Sequence, residues 1–292
     1  MENFKIEILT LQEGCGFVES TAAHLRLKGP DTTTFLHRLL TNNVQKLPIG
    51  GIQWNALCDR KGKVKTLFQL IKCSEEGSRI IAEKETLQKT EQMLTSMIFV
   101  DQVNISNESD QHHLFLLVGP MAKKILSERW NEIPTEPFRL KYATEEMTFF
   151  WFEDLYDQPI WYVMTTTKSA DNIREYFLKK ATPISSQAIE LVRIEAGIPK
   201  YGVDMTEENI LLEGNLQHAY ARQKGCYPGQ EIIERLHTYA DGKTPKVITK
   251  VEVNGNTPIE GATSSLFNPL SGKTVGLVKI KREQKKTPDF NE

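Results

Sequence analysis

The stretch LFLLVGPMAKKILSERW, residues 114–130, decides the fold of this chain. It begins with the apolar run Leu114–Val118, which is typical of a buried β-strand. Gly119 and Pro120 then end the strand, because glycine and proline interrupt regular structure. Met121–Trp130 continues with apolar residues at helical spacing. The stretch therefore predicts a strand, a sharp turn and a helix.

The same order of features occurs earlier in the chain. Phe17–Leu27 alternates loosely between apolar and polar residues and predicts a strand. Gly29 and Pro30 end it, and Thr32–Leu40 then predicts a helix. Two copies are too few for a solenoid. The repeat instead predicts a duplicated α+β unit.

The rest of the chain extends this α+β prediction. The run Phe149–Phe152 is aromatic throughout and predicts a sheet that is packed on both faces. Short strands separated by glycines near the end of the chain predict a small β-barrel-like module. We therefore expect a first unit at residues 1–110, a second at residues 111–236, and a C-terminal β-module with a charged tail at residues 237–292.

Composition limits the classes of function. The 292 residues include 36 Lys and Arg against 38 Asp and Glu, and the net charge of −2 argues against a general nucleic-acid binder. The absence of an apolar run of about 20 residues and of a secretory leader at the start predicts a cytoplasmic protein without a membrane partner.

Cysteine and histidine spacing predicts no metal site. The four cysteines lie far apart without a C-x-x-C pair, which suits a reducing, intracellular protein better than a disulfide framework. His112 and His113 have no third ligand at metal-binding spacing, so we expect them at the surface.

The octapeptide KGCYPGQE, residues 224–231, is the densest group of reactive and turn-forming residues. Pro228 is expected to open a short helix over Glu231–Leu236, which places Cys226 just before a helix N-terminus. That position and the nearby Lys224 both favour a thiolate. The alternative is a small buried cysteine in a tight loop.

Glu195 is a second candidate. At helical spacing it shares a face with Ala188, Leu191 and Val192, so its carboxylate is expected to point inward. A fitting partner is an edge of N–H groups, such as the amino-pyrimidinone of a pterin. The alternatives are a structural pair with an arginine and a solvated helix end.

The octapeptide resembles the K-G-C-Y-x-G-Q-E signature of the YgfZ family, which comprises folate-binding proteins implicated in maintaining iron–sulfur enzymes. This family is related to the T-protein, the aminomethyltransferase of the glycine cleavage system. The resemblance extends to the segment from Arg193 to Asp204, to residues 27–44, to the hairpin at residues 58–63 and to residues 213–216.

The resemblance implies a ring of domains around a channel that binds tetrahydrofolate or a derivative. Glu195 would hold the pterin ring, and Arg222 and Lys224 are candidates for the glutamate tail of folate or a phosphate. Cys226 would be the reactive or ligand-exchanging thiol. The residues that would shape its loop are Gly225, Tyr227, Gly229, Gln230 and Glu231.

One departure from the aminomethyltransferases argues against aminomethyltransferase activity in this chain. They carry an acidic residue after the hairpin glycine, whereas residues 63–67 here contain none, and Asp59 is expected to be a turn residue. We therefore expect a tetrahydrofolate-binding accessory protein in the synthesis or repair of iron–sulfur enzymes, with client iron–sulfur proteins or assembly factors as partners. The alternatives are an aminomethyltransferase or demethylase, and a non-catalytic folate-binding scaffold or RNA-modification factor acting on tRNA.

Overall fold

The computed structural model describes residues 2–20, 23–144 and 146–282. The helices in these ranges are α1 (Glu2–Glu13), α2 (Thr32–Leu39), α3 (Lys84–Ser96), α4 (Ala122–Arg129), α5 (Thr167–Lys180), α6 (Ser186–Glu195) and α7 (Gln230–Ala240). The strands are β1 (Gly16–Ser20), β2 (Ala23–Lys28), β3 (Ile52–Cys58), β4 (Val64–Ser74), β5 (Gly77–Ala82), β6 (Asn104–Asn107), β7 (His112–Val118), β8 (Lys141–Ala143), β9 (Thr148–Glu153), β10 (Ile160–Thr166), β11 (Thr182–Pro183), β12 (Lys246–Asn254), β13 (Ala262–Asn268) and β14 (Lys273–Lys281). No helix of the described chain is long and apolar enough to cross a membrane.

The two larger sheets have corresponding strand orders. A five-stranded sheet has the order β6-β2-β5-β4-β3, and a six-stranded sheet has the order β11-β1-β7-β10-β9-β8. If β1 is left out, each strand of the five-stranded sheet has a counterpart at the same place in the six-stranded sheet. The pairs of counterparts are β6 and β11, β2 and β7, β5 and β10, β4 and β9, and β3 and β8. The helices follow the same scheme, since α2 and α3 come after β2 and β5, and α4 and α5 come after β7 and β10.

The two Gly-Pro turns have the same cause. Gly29 and Gly119 adopt φ angles of 148° and 120°, which glycine accepts far more readily than other residues. A methyl group on Gly29 would lie 1.9 Å from the carbonyl oxygen of Gln102, and one on Gly119 would lie 2.5 Å from that of Gly14. Both turns therefore require glycine where another backbone segment passes.

The single strand predicted for Phe17–Leu27 is wrong. Its first part is β1, which lies between β11 and β7 in the six-stranded sheet, and its second part is β2 of the five-stranded sheet. Phe17 and Leu25 consequently enter different apolar cores. A loose alternation of apolar and polar residues does not mark the point at which a chain changes sheets.

The sheets and helices form an α–β–β–α sandwich. The largest core lies between the two sheets, where Trp151 and Ile71 are fully buried. The outer faces of the sheets pack against α2 and α3 on one side and α4 and α5 on the other. Phe150 and Phe152 point away from Trp151 into the outer core, which confirms the prediction of a sheet packed on both faces.

The C-terminal module is an open three-stranded sheet in the order β12-β14-β13. The prediction of a barrel-like module is therefore wrong, because three strands are too few to close a barrel. The strand β13 was not predicted. The module packs against α6, while the predicted charged tail beyond Arg282 lies outside the described residues.

Candidate functional site

A cavity of about 440 Å³ lies between the two sheets and α6. Its aromatic lining residues are Trp54, Tyr156, Tyr162 and Tyr201. Its polar lining residues include Gln69, Glu190, Arg193 and Lys200. A mostly apolar cleft of this size with a few convergent polar groups is typical of a small-molecule site.

One wall of the cavity is organised by the fully buried carboxylate of Glu153, at the end of β9. Its Oε1 accepts hydrogen bonds from Trp54 Nε1 and from Gln69 Nε2, both at 2.7 Å. Its Oε2 accepts from the hydroxyl of Tyr162 at 2.9 Å. Burial, partly offset by these donors, raises the pKa of Glu153 to about 7. No sequence pattern marks Glu153, since only the sheet pairing brings its partners together.

The Glu153 network also fixes the amide of Gln69. Because Gln69 Nε2 donates to the carboxylate, its Oε1 is left as a buried acceptor without a hydrogen-bond partner among the described residues. Such a group favours a ligand with an N–H donor, since an unpaired buried acceptor costs about 1–3 kcal/mol.

A second acceptor is Glu190, on the face of α6 that lines the cavity. The helix begins at the N-cap Ser185, whose Oγ accepts from the backbone N–H of Ala188 at 3.3 Å. Arg193, one turn further on, donates from Nε to Glu190 Oε2 at 3.1 Å. Arg193 also binds the buried carboxylate of Asp204 at 2.7 Å. The arginine therefore orients the cavity carboxylate and ties down the loop that follows α6.

Glu195 lies elsewhere. Its Oε1 accepts from Asn268 Nδ2 at 2.6 Å, at the contact between α6 and the C-terminal sheet. Five residues of helix correspond to a rotation of about 140°, so Glu195 and Glu190 point in different directions. The structure brings Glu190, and not Glu195, to the cavity, so the pterin role of Glu195 stays a prediction.

The loop of residues 224–231 lies outside the cavity. Cys226 is exposed, and α7 begins only at Gln230, after Gly229 in a left-handed conformation with φ 84°. The helix predicted over Glu231–Leu236 is thus present but longer, and Pro228 precedes its first turn by two residues.

The two cations of this region are already paired. Lys224 donates from its ammonium to the carbonyl of His37 at the end of α2, and burial lowers the pKa of Lys224 to about 8. The ammonium also lies 5.0 Å from the ring centre of Tyr227. Arg222 pairs with Glu234 at 3.0 Å. Neither cation lines the cavity.

The β3–β4 hairpin reaches both regions, since its turn lies against Gly229 and β4 lines the cavity. Asp59 Oδ1 accepts from the backbone N–H groups of Lys61 and Lys63 at 2.9 Å and 3.0 Å, which is the turn role predicted for it. The β4 residues that reach the cavity are Leu67 and Gln69, so this strand places no carboxylate there.

Comparison with known proteins places the chain among aminomethyltransferase-like folds. Residues 1–154, more than half of the chain, match the family model described as the GCVT N-terminal domain. The aminomethyltransferase of Bacillus cytotoxicus is 24% identical over an alignment of 295 residues, which covers 90% of this chain and 78% of the relative. That of Thermosipho melanesiensis is 25% identical over 309 residues, covering 97% and 82%.

A solved structure has the same fold. The glycine cleavage system aminomethyltransferase T from Bartonella henselae superposes with a TM-score of 0.81 at 17% identity, and the match covers 95% of this chain and 81% of that one.

Proposed function

The chain belongs to the family of the GCVT N-terminal domain, and from this membership we propose that it binds tetrahydrofolate or a derivative in the cavity between the sheets. The observation that carries the proposal is the cavity itself, which combines aromatic walls with two acceptors, Gln69 and Glu190. A pterin is a flat ring with an edge of N–H donors, and it matches both features.

The proposed orientation follows from the polar groups. Glu190 accepts from the amino-pyrimidinone edge with the lone pairs that Arg193 leaves available, and Gln69 Oε1 accepts a further N–H. Lys200 lines the cavity and is the proposed partner of the carboxylate tail. Arg222 and Lys224 are less suitable, because neither lines the cavity. Glu195 remains the competing candidate and is tested beside Glu190.

For the biological role we propose an accessory protein in the synthesis or repair of iron–sulfur enzymes. Two features support it: β4 places no carboxylate in the cavity for transfer chemistry, and Cys226 is exposed on a separate surface where a client protein has access. A single cysteine cannot hold a cluster, which usually has four ligands. The client or an assembly factor therefore supplies the others.

One observation favours a second candidate, transfer of the methylene carbon of an aminomethyl group to tetrahydrofolate, with ammonia as the leaving group. The carboxyl of Glu153 has a pKa of about 7, and the hydroxyl of Tyr162, which lines the cavity, donates to it. An acid with a pKa near neutrality is suited to proton exchange. Glu153 does not itself line the cavity, so in this role it would exchange the proton through the hydroxyl of Tyr162.

Calorimetric titration with tetrahydrofolate tests the binding site. We expect wild type and Cys226→Ala to bind equally and Glu195→Gln to bind nearly as well. Glu190→Gln should lose about tenfold or more, because a hydrogen bond to a charged group contributes about 1.5–3 kcal/mol. Absence of binding by wild type would overturn the folate proposal. Loss in Glu195→Gln alone would overturn the orientation.

Two further assays separate the roles. The accessory role predicts that Cys226→Ala fails to restore iron–sulfur enzyme activity in cells lacking the protein, whereas Cys73→Ala, a half-buried control, restores it. The transfer role predicts tetrahydrofolate-dependent release of ammonia from an aminomethyl donor by wild type and its loss in Glu153→Gln. Turnover with an intact Cys226→Ala phenotype would favour transfer over the accessory role.

A further inference from the structure

Three potential metal ligands meet where the five-stranded and six-stranded sheets adjoin, and none of them lines the cavity. They are His24 of β2, Glu108 just after β6, and His112, the first residue of β7. One donor atom of each lies within 4.8 Å of the other two. We call these three residues the His24–Glu108–His112 cluster. The rings of the two histidines meet edge to face with 4.7 Å between their centres.

Both imidazoles have an unused nitrogen. His24 is only 4% exposed, and its Nε2 and the Nδ1 of His112 are buried without a hydrogen-bond partner among the described residues. An imidazole binds a metal ion through Nδ1 or Nε2, so these two buried, unpartnered nitrogens are available donor atoms.

We propose that the His24–Glu108–His112 cluster binds a divalent transition-metal ion of the Zn²⁺ class, a site that goes beyond the folate proposal. His24 Nε2 and Glu108 Oε2 are 3.8 Å apart. A tetrahedral Zn²⁺ with ligands at 2.0–2.1 Å needs a separation of about 3.4 Å, so this pair would close by about 0.4 Å and no pair, each within 4.8 Å, by more than about 1.4 Å. Two imidazoles and a carboxylate select Zn²⁺ or a similar ion over Mg²⁺ and Ca²⁺, which prefer oxygen ligands.

The surrounding charges determine how tightly such an ion binds. Arg79 Nη1 donates to Glu108 Oε2 at 2.8 Å, and Arg26 Nη1 donates to Oε1 at 3.3 Å. Hydrogen bonds of this kind orient a ligating carboxylate, but both guanidinium charges repel a cation. The site therefore binds less tightly than a closed structural zinc site. Removal of the half-exposed Arg26 charge strengthens binding instead of weakening it.

The bound ion would connect the two halves of the duplication. His24 belongs to the five-stranded sheet and His112 to the six-stranded sheet, while Glu108 lies in the segment between them. Since the ion binds the folded chain and the unfolded chain presents no assembled ligand set, it also raises the free energy of unfolding.

Titration of the full chain with Co²⁺, followed by its visible absorption, tests the proposal without any activity assay. We expect one equivalent of Co²⁺ to bind with the intense bands of a four-coordinate site and to be displaced by Zn²⁺. His112→Gln should weaken binding about tenfold or more. The matched control is His113→Gln, since this neighbouring imidazole pairs with Glu19 outside the cluster. Arg26→Gln should bind Co²⁺ several-fold more tightly.

Circular dichroism of the metal-free variants first establishes that each one folds. Given folded proteins, absence of saturable Co²⁺ binding in wild type overturns the proposal. Equal binding by wild type and His112→Gln also overturns it, because the ion then sits elsewhere. If only His112→Gln fails to fold, the Co²⁺ affinity of Arg26→Gln tests the proposal in its place. Binding by Arg26→Gln that is weaker than or equal to that of wild type excludes an ion beside Glu108.

Discussion

Replacement of Glu153 by glutamine should make the protein more stable at alkaline pH. The buried carboxyl has a pKa of about 7, against an ordinary value of 4.5. Between these two pH values the native state binds more protons than the unfolded chain, so the free energy of unfolding falls as the pH rises. The decrease ends once the pH exceeds the native pKa.

The magnitude follows from the same two values. A pKa that differs by one between the native and unfolded states corresponds to about 1.4 kcal/mol, so full ionisation of Glu153 costs the native state about 3 kcal/mol. A glutamine keeps the shape and presents one oxygen to Trp54 and Gln69, whose donors both reach Oε1 in wild type. Its amide nitrogen faces the oxygen of Tyr162. The variant therefore retains most of the hydrogen bonds without the pH dependence.

Urea denaturation of wild type and Glu153→Gln at pH 5, 6, 7 and 8 measures the effect. We expect the stability difference to shift in favour of the variant by about 2.5 kcal/mol between pH 5 and pH 8. Glu260→Gln is the matched control, because it makes the same chemical change at an exposed carboxylate. A constant difference for Glu153→Gln would mean that the carboxyl keeps one protonation state from pH 5 to pH 8, and a shift toward wild type would mean that its native pKa is lowered; either result would contradict the prediction.

Three further predictions concern other contacts. Gly229→Ala should lower the free energy of unfolding by about 2 kcal/mol or more, because a methyl group there would lie 2.6 Å from the carbonyl oxygen of Asp59 in the hairpin. In the same urea assay, Gly272→Ala should lower it by about 1 kcal/mol, because Gly272 has a similar φ of 69° but open space around it. Arg193→Met should lower the free energy of unfolding by about 3 kcal/mol or more, because it leaves the buried carboxylate of Asp204 without its ion-pair partner. Arg174→Met should lower it by about 1 kcal/mol or less, because the ion pairs of Arg174 are partly exposed. The native pKa of Lys224, about 8, lies below the ordinary 10.5, so the native state binds fewer protons than the unfolded chain. Wild type should therefore gain stability relative to Lys224→Met between pH 8 and pH 10, and equal slopes would contradict this.

Local features of the sequence predicted much of the fold. The Gly-Pro turns that begin at Gly29 and Gly119 combine two residues with restricted roles, and the strand–turn–helix around each is a local event. By contrast, the change of sheet between β1 and β2 depends on which distant strands offer free edges, and β11 and β7 are far away in the chain. The helix α1 was not predicted either, although Ile8 and Leu11 bury one of its faces.

The Glu153 network could not be predicted from the sequence, for a related reason. Trp54, Gln69 and Tyr162 lie on three strands, and none has an unusual neighbour in the sequence. Their side chains converge because the sheets face each other across the cavity. Glu108 and the two histidines of the metal proposal are likewise joined only by the pairing of β2 with β6 and the start of β7. Sequence spacing identifies metal ligands that lie on one helix, strand or loop. It does not identify a set of ligands that three separate segments supply.

The choice between Glu190 and Glu195 shows what helical periodicity can predict about a side chain and what it cannot. Periodicity correctly places Glu195 on a face with Ala188 and Leu191, both of which are buried. It does not reveal what covers that face, and here it is the C-terminal sheet with Asn268. The cavity lies beside Glu190, on a face that the sequence shows as polar and therefore suggests is solvated. A polar helix face can border water or a ligand cavity, and only the position of the neighbouring sheets distinguishes the two.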